Sequence, residues 1–339
     1  MKAILKIWTL LLCAGLVLCC DPTSSEGTTG ANENPTTETQ EQPLSDGSIF
    51  SHTIGNTNVL IGTGDWNSIT SGNGRYVAIG DNTLAAKRYS AYSDNGTDWL
   101  YKEQASVFTW SGNVVYGNGK FVTSGTDAAS YERGVLTSTD GIDWTFTQLA
   151  GNVVLQSIIY TDKFIGIDTK GNVFTSEDGT DWISQATDMA IGNVCENRGF
   201  VYGNDIYVVL GENGTVIYSS NLANWTEAEF SQREDNDMTK AVTYGNGKFV
   251  AVGTDVFYSS NGSSWTKVDT EYVFSDIVFA DNQFIAVGID PTNNEQTDNE
   301  HTDNEHTEEC KYKIMTSSDG IAWTVQDIEA NATCICIMQ

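Results

Sequence analysis

Short apolar runs led by an aromatic or by Ile recur along the chain, each behind a tight polar turn: GNGRYVAIG (72–80), GNGKFVTSG (117–125), TDKFIGID (161–168), GNDIYVVLG (203–211), GNGKFVAVG (245–253) and ADNQFIAVG (280–288). Runs of this length, rich in Val, Ile, Phe and Tyr and bounded by turn residues, predict β-strands. Asn-Gly at 73–74, 118–119 and 246–247 predicts a two-residue hairpin, because both central positions of that turn need positive φ. One strand therefore precedes each turn and one follows it.

A second element recurs in phase downstream. SDNGTDW ends at Trp99, STDGIDW at Trp144, SEDGTDW at Trp182, SSNLANW at Trp225, SSNGSSW at Trp265 and SSDGIAW at Trp323. The tryptophans are 45, 38, 43, 40 and 58 residues apart, the period of propeller-blade repeats. Within each stretch a Ser hydroxyl and an Asp or Asn side chain can bond the turn's own amides, and glycine supplies a left-handed residue. The tryptophan that follows can bury a large face against the neighbouring sheet. Each unit reads as four strands; in the fifth these are Lys240 to Tyr244, Lys248 to Val252, Asp255 to Ser259 and Trp265 to Val268.

The repeated stretch resembles the Asp-box, or BNR, repeat of sialidases, sortilin-like receptors and photosystem II assembly-factor propellers. The resemblance covers about residues 64 to 327 and rests on Ser93, Asn95, Gly96 and Trp99; Ser138, Asp140, Gly141 and Trp144; Ser176, Asp178, Gly179 and Trp182; Trp225; Asn261, Gly262 and Trp265; and Asp319, Gly320 and Trp323. The consensus usually carries one residue more, and the fourth stretch replaces glycine with Leu222. In that family the boxes lie remote from the active site, so the resemblance implies a structural role for Asp140, Asp178 and Asp319.

The expected fold is all-β, a propeller of six full four-stranded blades. ATCICIMQ (332–339) occupies the place of a further first strand, and SIFSHTI (48–54) and NVLIG (58–62) precede the first complete unit. Strands from both termini sharing a composite seventh blade would close the ring and leave no bare edge. A six-bladed ring with a surplus terminal strand is the alternative.

The N-terminus carries Lys2 and Lys6, then an apolar stretch from Leu10 to Leu18. Its length suits a secretory signal and is too short to span a bilayer as a mature helix. The stretch ends Val17-Leu18-Cys19-Cys20-Asp21, which resembles the lipobox of bacterial lipoproteins, with Cys20 the best-fitting lipidated residue. The expected organisation is a signal peptide at 1–19, a flexible Ser/Thr/Glu-rich tether at 20–47 and a propeller domain at 48–339 with an acidic insertion at 289–313. The implied address is the bacterial cell envelope, through a lipid anchor at Cys20.

With 17 basic against 45 acidic residues the net charge is −28, which disfavours nucleic acid and direct contact with anionic lipid. Cys195, Cys310, Cys334 and Cys336 show no CxxC spacing; Cys310 with Cys334 or Cys336 is the first disulfide to test in an exported protein. TDNEH occurs twice in tandem and brings His301 and His306 among carboxylates. They are weak candidates for a divalent cation; a replication-slipped acidic loop is the preferred reading, and no metal site is expected. No cofactor is expected, and the chain is expected to be a monomer.

In a propeller the loops between second and third strands share one face with those linking successive blades. Lys87, Arg88, Tyr89, Tyr131 and Arg133 fall in or beside the loops of the first two blades. Arginine and tyrosine dominate binding hot spots, which makes this the candidate surface for a glycan, peptide or protein. Sialidase relatives would need an Arg-Ile-Pro motif and an arginine triad. None of the five arginines begins such a motif, and Arg75 stands where two other blades have lysine. A non-catalytic binding module is therefore the leading expectation, ahead of an envelope scaffold and a glycosidase. Deletion of Asn293 to Glu308 should leave the fold intact by circular dichroism and thermal melting; an unfolded product would place the insertion in the core.

Overall fold

The computed structural model describes residues 49–337, apart from 55, 64–65, 83–86, 105–107, 190, 192–193, 196–197, 212–213, 232–237, 292–311 and 329–331. The expected signal peptide at 1–19 and the expected tether at 20–47 with Cys20, together with His301, His306 and Cys310, lie outside the described residues, as do the side chains of Lys87, Cys334 and Cys336. No helix among the described residues is long and apolar enough to cross a membrane.

The chain is an all-β propeller whose sheets follow the repeat. Blade 1 comprises Trp66–Gly72, Arg75–Asn82, Lys87–Ser93 and Leu100–Gln104. Blade 2 comprises Phe108–Gly117, Lys120–Asp127, Arg133–Ser138 and Thr145–Gln148. Leu155–Tyr160, Phe164–Asp168, Val173–Ser176 and Ile183–Gln185 form blade 3. Blade 4 is Phe200–Gly203, Ile206–Leu210, Val216–Ser219 and Thr226–Glu227. Thr239–Gly245, Lys248–Gly253, Val256–Ser259 and Ser264–Val268 form blade 5, and Val273–Ala280, Gln283–Ile289, Tyr312–Ser317 and Thr324–Ile328 form blade 6. Within each blade consecutive strands pair antiparallel in sequence order.

The terminal strands do not stand apart. Ile49–Ile54 pairs with Thr57–Thr63, which pairs in turn with Ala332–Ile337, giving a three-stranded sheet from both ends of the propeller sequence. Ala332–Ile337 is its inner strand and lies between the first strands of blades 6 and 1. Hydrophobic clusters fill the junctions on both sides of this sheet: Ile54, Val59 and Ile61 meet Val278 and Ile285 of blade 6, while Ile49 and Leu60 meet Trp66 and Ile69 of blade 1. Similar clusters fill each junction between successive blades.

Blade 5 departs from the expected plan. Glu229–Ser231 adds a parallel fifth strand outside Ser264–Val268, and its Phe230 ring lies 6.2 Å from Trp265 and 5.2 Å from Phe257. This lid makes Trp265 only 1% exposed, whereas Trp99, Trp144, Trp182, Trp225 and Trp323 are half-buried. The expectation that each tryptophan buries a large face holds most fully where a neighbouring strand covers it. Trp265→Ala should cost about 3 kcal/mol or more of stability and Trp99→Ala clearly less, since the loss scales with burial; paired denaturant titrations measure both.

Candidate functional site

The repeated turn is a hydrogen-bonded unit that leaves its polar atoms little capacity for chemistry. At Ser317 the hydroxyl donates to Asp319 Oδ1 at 3.0 Å and accepts the Gly320 amide at 2.9 Å. The same Oδ1 accepts the amides of Ile321 and Ala322. Asp140 and Asp178 repeat this pattern, and so do the neutral Asn95, Asn221 and Asn261. Leu222, where glycine is missing, takes φ 64 and keeps its amide on Ser219 Oγ at 3.0 Å. The indoles of Trp99, Trp182, Trp225 and Trp265 each donate to the carbonyl three residues back; those of Trp144 and Trp323 are buried without a hydrogen-bond acceptor.

Electrostatics agree with this bonding. The Ala322 amide, followed by that of Ile321, holds the Asp319 carboxyl below its ordinary value, and the Asp181 amide does the same for Asp178. For Asp140 burial is the largest single influence and pushes upward. The Asp143 and Ile142 amides, the Ser138 hydroxyl and Arg75 together outweigh it.

The turns also fasten one blade to the next. Arg75 of blade 1 donates to the Asp140 carbonyl at 2.9 Å and pairs with Asp94 at 2.7 Å. Lys120 reaches Thr180 at 3.1 Å and Lys248 reaches the Asp319 carbonyl at 2.9 Å. Arg75 thus serves the frame, as its place in the repeat implies.

The opposite face carries the candidate binding residues. Between the second and third strands of blade 2, Asp127 organises the loop: its Oδ1 accepts the amides of Ala129 and Ser130 and its carbonyl accepts that of Tyr131. Tyr131 is 77% exposed and held at φ 59, a conformation that costs a bulky residue energy. Arg133 is exposed beside it, its amide fixed by Asn152 Oδ1 at 2.7 Å. In blade 1, Arg88 is half-buried. Tyr89 corrects the sequence expectation: it is 5% exposed and packs with Ile49 and Leu60 in the junction to the terminal sheet. Side chains alternate along a strand, so Tyr89 faces the junction and cannot present its ring to a ligand.

Sequence reasoning missed Arg198. It lies just ahead of the first strand of blade 4, pairs with Asp276 of blade 6 at 3.0 Å and lies 3.4 Å from the Ile69 carbonyl of blade 1. One side chain thus joins the segment leading into blade 4 to the first strands of blades 6 and 1. Asp276 directly follows the register shift in its own strand, and no motif marks either partner. Among the described residues no group of three or more His, Cys, Asp or Glu could hold a metal. Cys195 is buried, and its thiol donates to the Thr239 carbonyl at 3.2 Å.

Residues 181–312 match the family described as the DUF6242 beta propeller domain. No protein of curated function matches the sequence. Among solved structures the fold is similar to YCF48 bound to D1 peptide, with 14% identity, 83% of this chain and 87% of that one covered and a TM-score of 0.56. It is similar also to YCF48 from Cyanidioschyzon merolae, at 12% identity, coverage of 82% and 88% and a TM-score of 0.52. The WD40 propeller domain of Doa1 matches at 11% identity, coverage of 85% and 90% and a TM-score of 0.52. Identities this low speak for the propeller fold.

A carboxyl whose folded pKa lies below its unfolded value contributes stability that is complete above the unfolded value and lost as the pH falls through the folded one. Asp140, Asp178 and Asp319 should therefore make the propeller acid-sensitive below their ordinary value of 3.8. Replacing all three with Asn, which other blades use natively, should preserve the fold at neutral pH and flatten that acid decline in denaturation midpoints. An unchanged acid limb would mean that titration of these three carboxyls does not contribute to the acid decline.

Proposed function

We propose that this chain is a non-catalytic interaction module, held at the bacterial cell envelope by a lipid on Cys20, that recognises a peptide or protein through the face bearing Tyr131 and Arg133. The observation that carries the reading is the exposed Tyr131, whose backbone its own loop holds at positive φ. An exposed aromatic on an ordered backbone beside an arginine is the usual make-up of a hot spot. The structural similarity to YCF48 solved with a bound peptide supports a peptide as the class of partner. Envelope assembly is one form such recognition takes. Sialidase chemistry is set aside because the sequence has no Arg-Ile-Pro.

A photo-crosslinking residue at position 132 in intact cells should capture a discrete partner, and Tyr131→Gly or Arg133→Ala should reduce capture by about tenfold, the effect of losing a hot-spot residue. Tyr131→Gly should at the same time keep or raise the melting temperature, because glycine relieves the left-handed strain. Capture indifferent to both substitutions would remove this face from consideration. Cys20→Ser should abolish fatty-acid labelling and release the protein from membranes; continued labelling would overturn the anchor.

A further inference from the structure

On the turn-bearing face, opposite Tyr131, the repeat contains an aromatic lock between blades. The last aromatic of one blade's first strand lies over the glycine that ends the first strand of the blade before it. A Cβ on Gly72 would fall 2.0 Å from Tyr116, one on Gly117 2.1 Å from Tyr160, one on Gly203 2.2 Å from Tyr244 and one on Gly245 2.1 Å from Phe279. Behind each lock, the second-strand residue paired with the locking aromatic is a fully buried phenylalanine: Phe121, Phe164, Phe249 and Phe284.

The junction of blades 3 and 4 breaks every part of this pattern. Thr161 stands where the glycine belongs: Tyr160 pairs with Phe164 as Tyr116 pairs with Phe121. The turn that follows is one residue shorter. The facing aromatic, Tyr202, is 37% exposed, and the buried phenylalanine is replaced by a half-buried Tyr207. The result is a cavity of about 680 Å³ lined by Tyr160, Thr161, Asp162, Phe200, Tyr202 and Tyr207 among others.

The chemistry of this cavity is specific. The Tyr202 and Tyr207 rings lie 4.5 Å apart, and the Tyr202 hydroxyl donates to Asp205 Oδ1 at 3.0 Å. Asp162 is exposed at the rim and accepts the Thr161 hydroxyl at 2.8 Å. Burial first, then Asp162 and Asp205, raise the Tyr207 pKa; on Tyr202 the hydrogen bond to Asp205 leads. Both rings therefore sit in a negative field. Lys163 adjoins Asp162 and offsets it in part. Ring faces beside carboxylates favour a cation, and a planar guanidinium can stack on a tyrosine while bonding a carboxylate. The net charge of −28 steers basic partners toward the molecule.

We propose that the cleft between blades 3 and 4 is a binding site for an arginine side chain of a peptide or protein partner. It lies on the face away from Tyr131 and does not rest on the reading of that face.

The probe is acetyl-Gly-Arg-Gly-Arg-Gly-amide, titrated calorimetrically at physiological salt. Saturable binding is expected, weakened about tenfold by Tyr202→Ala and several-fold by Asp162→Asn, with Tyr207→Phe close to wild type because the ring is kept. Glu177→Gln removes one exposed charge elsewhere on the same face and should leave the affinity unchanged. Equal weakening by Glu177→Gln and Asp162→Asn would show diffuse charge attraction and overturn the proposal. So would Tyr202-dependent binding of chitotriose without binding of the peptide, which would make the cleft a sugar site. Tyr202 and Asp162 are exposed, so their variants should melt as wild type does.

Discussion

The propeller depends on the close seating of each turn upon the blade before it. A Cβ on Gly141 would fall 2.2 Å from Val77, one on Gly179 2.6 Å from Val122 and one on Gly320 2.5 Å from Val250. These contacts leave no room for a side chain, and they bring the second strand of one blade against the end of the next. The hydrophobic wedges between sheets follow from that approach. Leu222 shows the same constraint solved differently: its side chain is buried with Ile165 and Ile167 of the preceding blade. Packing there offsets a left-handed conformation that a branched residue ordinarily avoids.

Polar groups then fix what the wedges bring together. The turn-bearing ends are tied by Arg75, Lys120 and Lys248 to turns of the following blade, and Asn118 and Asn246 reach the same turns. At the ring centre Arg198 and Asp276 join blades that are not neighbours. Asp276 is 4% exposed, so it requires its partner: a buried carboxylate left alone is costly.

Much of this frame was legible because its signals are local. Hairpin glycines, the hydroxyl-Asx turn and the aromatic-led runs each act within a few residues, so the strands of blade 5 fall within one residue of expectation at every end. Features that depend on distant neighbours were not legible. Tyr89 reads as a loop aromatic until the terminal sheet is placed against it. Phe230 and its added strand lie in an acidic stretch with no periodic pattern. The open junction at Thr161 was visible as an irregular TDKF among GNGKF repeats, but its meaning required knowing that the missing glycine normally receives a ring from the next blade.

The composite sheet sets the order of events in folding. Thr57–Thr63 is made before any blade, yet its inner neighbour is Ala332–Ile337. Until that late segment emerges from the ribosome, Thr57–Thr63 has an unpaired inner edge and the wheel stays open.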